Sequence, residues 1–291
     1  NNSYKPNSDK LSPSSGLLSK FSNSVISMLS EYSVQQEEVV GIDITPYSIK
    51  LAQLSKKDDK WTVEKLAYRH LDRIEDIKTS AAKISEEIEI AFKSGKFSTN
   101  NAAVSLPVSS SIVKVITMPL MTEAEMQKAI EYDSLWENLT QLPDALEEYS
   151  IFHQVIRKDS AQNLMDVLFV ASKLSDVNQY IEIVKNAQMS PIVMDVRCFA
   201  LRNAFETKNI KNMTKAPLAI LEIGAHENFL LILKDEIPFV SDIFVSSKDK
   251  TTIGLENNDV KSLSPIIDRF VMQIKQNLDS YASRFKSEPI E

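Results

Sequence analysis

The fold of this chain is decided by residues 39–71, VVGIDITPYSIKLAQLSKKDDKWTVEKLAYRHL. The pattern predicts three antiparallel strands, which are VVGIDIT, SIKLAQL and WTVEKLAYRHL. A turn at Pro46-Tyr47 separates the first two strands, and a charged turn at residues 56–60 separates the last two. This stretch therefore predicts a meander of neighbouring strands.

The same pattern returns after Pro217, as LAILEIG, FLLILK and IPFVSDIFV. The opening strand of each copy ends in an acid, an isoleucine and a turn, with Asp43 in the first copy and Glu222 in the second. Two such meanders in one chain predict a duplicated α/β lobe.

Composition excludes several classes of protein. The 291 residues are 43% hydrophobic and 25% charged, which leaves room for about two domains. The net charge of −7 argues against a nucleic-acid binder, which needs a basic patch. The single cysteine, Cys198, gives neither a disulfide nor a thiolate metal cluster and favours a reducing compartment. We expect Cys198 to be inert and buried, and the scattered His70, His153 and His226 to bind no metal.

A block between the two meanders has its own pattern of strands and helices. The predicted elements are IVKVITMP, a helix over Thr122–Leu139, YSIFHQVI, MDVLFVAS and a helix that starts near Ser175. A capping box at Thr122 and Glu125 marks the start of the first helix. The block predicts a small α/β subdomain inserted into the first lobe, to which PIVMDV and CFALRNAFE return.

The remaining segments complete the predicted domain organisation. Residues 80–94 predict a helix and AAVSLPV a strand of the first lobe, and Pro265–Phe285 predicts a long one-faced helix of the second. Residues 16–31 predict an amphipathic helix that packs on its own domain, is disordered, or docks on a membrane surface or a partner. Its single basic residue, Lys20, gives little support for membrane binding. The predicted division is a flexible tail at 1–36, a first lobe at 37–108 and 190–216, an inserted subdomain at 109–189 and a partial second lobe at 217–291.

Three stretches carry a family resemblance. They are VVGIDITPYSIKLAQL, SLPVSSSIVKVITMPLMTEAEMQKAIEYDS and MDVLFVASKLSDVNQYIEIVKNAQMSPIVMDVRCFAL. In this order, over about residues 38–285, they closely resemble the PilM family of FtsA-like proteins in type IV pilus assembly. The resemblance implies an actin-like α/β fold of ribonuclease-H-like duplicated lobes, with an FtsA-type inserted subdomain. The short segment between Val245 and Pro265 implies a reduced second lobe.

The resemblance also implies a function and partners. The family members are cytoplasmic platforms, peripheral to the inner membrane, that recruit a PilN-like protein and other inner-membrane pilus components. The N-terminal tail of PilN would lie in a groove between the first lobe and the inserted subdomain. As an extended peptide it would add to a strand edge. Candidate groove residues on that edge and its facing wall are Ile112, Val113, Lys114, Val115, Ile116, Met118, Arg197 and Phe199; by default these are core strands.

The family binds ATP with Mg²⁺ between two turns, and here both turns are altered. Thr45-Pro46-Tyr47 stands where the family has Gly-Ser-Ser, and proline removes a phosphate donor. Glu222 replaces an aspartate, and Glu227 would repel phosphate. The residues that correspond to the ATP site are Asp43, Thr45, Ser48, Lys50, Asp195, Glu222, Gly224 and Ala225, with Asp43 as the residue that organises the metal.

An adenosine-binding Gly-Gly loop follows the long helix in the family, and no two of the five glycines here are adjacent. Either the sequence is a piece of a longer chain or the site has degenerated, and we expect a degenerate ATP cleft and no enzyme activity. Three other functions stay open: the actin-like cytoplasmic domain of a GspL-like secretion protein, a sugar kinase or ATPase, and an FtsA-like filament former.

Overall fold

A computed structural model of the chain describes residues 38–57, 60–74, 76–131, 142–209, 217–224, 227–234, 237–254 and 259–285. The predicted tail at 1–36, with its amphipathic helix, lies outside the described residues, and so does the second half of the helix predicted over 122–139.

The described residues form eleven strands and six α-helices in mixed order. The strands are β1 (Val40–Thr45), β2 (Ser48–Lys57), β3 (Lys60–His70), β4 (Asn101–Leu106), β5 (Ser111–Pro119), β6 (Tyr149–Asp159), β7 (Leu164–Lys173), β8 (Ser190–Val196), β9 (Leu218–Ile223), β10 (Asn228–Lys234) and β11 (Ile237–Asp242). The helices are α1 (Ala81–Gly95), α2 (Glu123–Glu131), α3 (Leu174–Asn186), α4 (Arg197–Asn209), α5 (Ser247–Ile253) and α6 (Val260–Phe285).

The first sheet has the strand order β3-β2-β1-β4-β8. The predicted meander is confirmed, because β1, β2 and β3 pair antiparallel, and β4 and β8 then run parallel to β1. Strand alternation places Val40, Ile42 and Ile44 on one face, where they form a buried core under α1 and α3. Gly41 and Asp43 therefore lie on the opposite face.

Helix α3 packs against this first sheet although the sequence assigns it to the inserted subdomain. Its Tyr180, Ile183 and Val184 share one core with Ile88 of α1. The hydroxyl of Ser85 in α1 also donates to the carbonyl of Ile183 at 2.9 Å. Residues 38–291 form one compact unit. The division of this unit into two lobes and an inserted subdomain stays a prediction.

The second sheet has the order β5-β7-β6, and its central strand β7 is buried on both faces. On β5, Ile116 and Met118 face a core that contains Met126 of α2, whereas Val113 and Val115 face the third sheet. The capping box before α2 is confirmed: Thr122 N donates to Glu125 at 2.8 Å, and Glu125 N donates to Thr122 Oγ1 at 3.3 Å.

The third sheet has the order β11-β10-β9, which confirms the second meander. Its central strand β10 is buried on both faces because its side chains alternate between two cores. Phe229 and Leu231 pack toward the second sheet, and Leu230 and Ile232 pack on Tyr281 of α6.

Two helices near the end of the chain differ from the prediction. Helix α5 was not predicted, although Ser246 caps it by accepting a hydrogen bond from Asp249 N at 3.1 Å. Helix α6 begins at Val260, before Pro265, because Asp259 accepts a hydrogen bond from Ser262 N at 2.7 Å and so starts the helix earlier. No helix in the described ranges has the length and apolar character required to cross a membrane.

Candidate functional site

Three neighbouring strands of the first sheet bring polar side chains to one face. The register places Asp43 of β1 beside Ser105 of β4, and Ser105 beside Asp195 of β8. Asp195 accepts a hydrogen bond from Val196 N at 2.7 Å, and burial raises the pKa of its carboxyl above the ordinary value. The structure thus brings Asp43 and Asp195 onto one surface, as the sequence predicts for a cleft.

The centre of this surface is a buried arginine. Arg197, the first residue of α4, has a guanidinium that donates to the Asp43 carboxylate and, at 3.3 Å, to the Ile44 carbonyl. Its other nitrogen donates to Glu227 at 3.1 Å. Only 8% of Arg197 is exposed. Because a buried cation is stable only beside counter-charges, the two flanking carboxylates are needed to neutralise it.

Glu227 holds the network from the side of the third sheet. Its second oxygen accepts hydrogen bonds from Ser109 N at 3.1 Å and from Ser109 Oγ at 3.3 Å. Ser109 lies in the short 3₁₀ turn that leads into the second sheet. The network therefore joins β1 of the first sheet, the entry to the second sheet and the entry to β10 of the third. The sequence singled out Arg197 and Glu227 separately, and no signal in it marks Ser109.

The remaining contacts of Asp43 are also filled. Lys50 Nζ lies 3.3 Å from its Oδ2, and Ser105 Oγ lies 3.4 Å from its Oδ1. In the described part of the chain no group of three or more His, Cys, Asp or Glu side chains has a metal-binding arrangement. Asp43 itself has two cationic partners, Arg197 and Lys50.

The first turn directs its backbone donors inward. Thr45 Oγ1 accepts hydrogen bonds from Tyr47 N at 3.3 Å and from Ser48 N at 3.0 Å, and its hydroxyl also contacts the Ser48 hydroxyl at 3.0 Å. Pro46 has no N–H group. The donors that a phosphate would need at this turn are either missing or used by Thr45.

The second turn also uses a backbone N–H group in its own hydrogen bonds. Gly224 N donates to Asn228 Oδ1 and to the Glu227 carbonyl, both at 3.1 Å. Glu222 is half-buried on β9, in register with the buried Phe229. Ala225, the last predicted nucleotide residue, lies outside the described residues.

The predicted groove residues do not form one accessible surface. Val115, Ile116 and Met118 are buried, and side chains of β5 alternate between two cores. Phe199 is half-buried and packs against the core cluster that contains Val115. Arg197 lies in the cleft between its two carboxylates, and Ile112, Val113 and Lys114 are half-buried.

What β5 offers instead is its outer backbone edge. Arg284 of α6 donates to the Val115 carbonyl at 2.7 Å, so the backbone groups of Val115 point away from β7. Alternation then directs those of Ser111 and Val113 the same way. They face a cavity of about 150 Å³ between β5 and β11. Its lining residues are Val108, Ser109, Ser111, Val113, Val240 and Asp242.

Cys198 lies beside this network and agrees with the predicted burial. Its side chain is fully buried, and burial raises the pKa of its thiol to about 12. The thiolate form that reacts is therefore scarce at neutral pH. Burial lowers the pKa of His153, so this histidine is neutral at pH 7.

Comparisons with known proteins identify the fold. A PilM-PilN type IV pilus biogenesis complex is 19% identical, covers 84% of this chain and 78% of that chain, and has a TM-score of 0.69. A Bacteroides thetaiotaomicron protein with an actin-like ATPase fold is 9% identical, covers 83% of this chain and 91% of its own, and has a TM-score of 0.41.

The predicted α/β fold class is confirmed, and the chain shares the fold of the PilM-PilN structure. The family model of the type IV pilus assembly protein PilM matches residues 41–241, which is well over half of the chain. The chain belongs to the PilM family of type IV pilus assembly proteins.

Proposed function

We propose that this protein is a non-enzymatic cytoplasmic platform, peripheral to the inner membrane, that binds the N-terminal tail of a PilN-like membrane protein. The observation that carries the proposal is the cavity beside Ser111 and Val113 at the outer edge of β5, which no described strand pairs with although β11 packs close to it. The similar PilM-PilN complex supports the class of partner. The tail would bind to the edge by main-chain hydrogen bonds rather than to the buried side chains of β5.

The cavity indicates which tail residues would fit. Val108 and Val240 give it apolar walls, which suit a small apolar side chain of an extended peptide. Asp242 is exposed at the end of β11 and adds a negative charge to the wall. A tail with a basic residue next to an apolar one would satisfy both features.

Arg284 sets a limit on this edge. The Arg284 guanidinium already donates to the Val115 carbonyl. A tail that pairs with Ser111 and Val113 would therefore have to stop before Val115. A longer pairing would require Arg284 to be displaced. We propose the shorter pairing, which leaves this charge-assisted hydrogen bond in place.

The cleft supports a platform that does not use ATP. A kinase or ATPase needs phosphate donors, a metal and a base in the cleft. Here Arg197 supplies the cation between Asp43 and Glu227. The turn at Thr45 also uses its own N–H groups. We therefore propose that the cleft holds the sheets together without nucleotide.

The tail proposal is tested by titrating a peptide of a PilN-like N-terminal tail into the full chain by calorimetry. We expect saturable binding that Asp242→Lys weakens at least tenfold because of charge repulsion. Asp279→Lys makes the same charge change on an exposed position of α6 and should leave binding unchanged. No saturable binding, even with the peptide fused to the chain, or an equal effect of both variants, would contradict the proposal.

The ATP proposal has its own test. Calorimetry with Mg-ATP is expected to give no saturable heat, because the donors and the acid of the cleft are already engaged. Tight binding with turnover would restore the kinase or ATPase alternative.

A further inference from the structure

The first sheet has an apolar surface that α1 and α3 do not cover. We call it the β3 face: Leu54 of β2 with Trp61, Val63, Leu66 and Tyr68 of β3. Leu66 is 68% exposed and Tyr68 60% exposed. The register places Leu54 beside Val63, and Ala52 beside Leu66, so these side chains share one side of the sheet. Contiguous exposed apolar patches of this kind mark interaction surfaces.

The same strand has an outer backbone edge that pairs with no other strand of the described residues. β3 is the outermost strand of the first sheet and is paired with β2 on one side. It is 11 residues long, so its outer side presents a row of N–H and C=O groups. Such an edge pairs readily with another strand. The β3 face and the edge together suit a partner that is itself a strand with an apolar side.

A β-bulge in β3 determines which strand fits. Val63 pairs with Leu54 and Lys65 with Gln53, which leaves Glu64 as an extra residue. Without this residue, Val63 and Leu66 would point to opposite faces. With it, they lie on the same face, and so do Trp61 and Tyr68.

We propose that the β3 edge pairs antiparallel with the β3 edge of a second copy of this chain. A twofold axis perpendicular to the joined sheet leaves each side chain on the same face of that sheet. Two residues can therefore oppose each other across the seam only if both lie on the same face of β3. The bulge satisfies this condition for a register in which Val63 opposes Leu66 of the second copy. Trp61 then opposes Tyr68 of the second copy, which gives an aromatic pair at each end.

The charges along β3 agree with this register. At the symmetry axis Glu64 opposes Lys65 of the second copy, and the opposite signs attract. Farther out, Lys60 opposes Arg69 of the second copy. That arginine is already neutralised by Glu87 of α1, to which it donates at 2.6 Å. The attraction between Glu64 and Lys65 at the axis therefore favours a second copy in this register.

The pairing would join two five-stranded sheets into one and bury both β3 faces along the seam. It does not involve the cleft or the β5 edge, so it is independent of the proposed tail binding.

The association of the full chain is measured by sedimentation and light scattering. We expect a concentration-dependent dimer that Leu66→Lys weakens at least tenfold. Ile267→Lys, at a 53% exposed position on α6, is the matched control and should still dimerise.

Cysteine cross-linking tests the register. In the double variant Val63→Cys and Leu66→Cys, each new thiol opposes the other in the second copy, so oxidation should give a covalent dimer. Either single variant should cross-link far less, and native Cys198 is fully buried and should not contribute.

Three results would overturn the proposal. The first is a monomer at all concentrations, and the second is a dimer that is insensitive to Leu66→Lys. The third is a monomer whose β3 face instead binds anionic phospholipid vesicles or the tail peptide, with binding lost in Leu66→Lys.

Discussion

Arg197 and Glu227 form a buried ion pair of 3.1 Å at the point where the three sheets meet. The pair links the first residue of α4 to the turn before β10, and Asp43 binds the same guanidinium from β1. The guanidinium lies between the two carboxylates, so these three side chains form a contact between the sheets.

Removal of the Arg197 guanidinium should destabilise the folded protein. Arg197→Met is expected to reduce the free energy of unfolding by about 3–5 kcal/mol, because Glu227 is left buried without a counter-charge. The double variant Arg197→Met with Glu227→Gln should recover part of this loss, since the uncompensated charge is then removed. Denaturant unfolding measures both. Arg202→Ala breaks a more exposed pair with Glu206 and is the control, with an expected loss below about 1 kcal/mol.

The first turn should depend on the Thr45 hydroxyl. Thr45→Val keeps the shape but removes the acceptor of the Tyr47 and Ser48 N–H groups. We expect a loss of roughly 1 kcal/mol in the free energy of unfolding, measured with denaturant. An unchanged stability would mean that water replaces the hydroxyl without cost.

Asp195 gives a pH-dependent prediction. Because burial raises its pKa in the folded protein, the folded state binds the proton more tightly than the unfolded chain does. The free energy of unfolding therefore falls as pH rises from the ordinary pKa of an aspartate to the raised value, and the loss is complete above it.

Asp195→Asn removes this loss and keeps the oxygen that accepts from Val196 N. The variant should be more stable than the parent at pH 7, and the difference should shrink as pH falls toward about 4. Thermal unfolding across this range measures it. Asp279→Asn, on an exposed position of α6, is the control. A variant less stable than the parent at pH 7 would contradict the prediction.

Removal of the Tyr180 hydroxyl should stabilise the folded protein. The side chain is 2% exposed in the core between α1 and α3, and its hydroxyl has no hydrogen-bond partner among the described residues. Tyr180→Phe is expected to raise the free energy of unfolding by roughly 1 kcal/mol, because an unsatisfied buried polar group is removed. Chemical denaturation tests this, and destabilisation would indicate a partner such as a bound water.

The sequence alone predicted both meanders, most of the other elements and the family, but not α5. Alternation along residues 39–71 and after Pro217 fixed both meanders, because a strand's side chains repeat every two residues whatever surrounds it. The capping box at Thr122 and Glu125 was equally readable, since its partners lie three residues apart. The loss of phosphate donors at Pro46 followed from the chemistry of one residue.

The tertiary structure decided which distant side chains meet. Ser109, Arg197 and Glu227 lie on three separate segments, and only the packing of the three sheets brings them within hydrogen-bond distance. The same packing buries the side chains of β5 in two cores and leaves its backbone edge beside Arg284. A periodic pattern shows that a residue faces a core, but not which element supplies the other side of it.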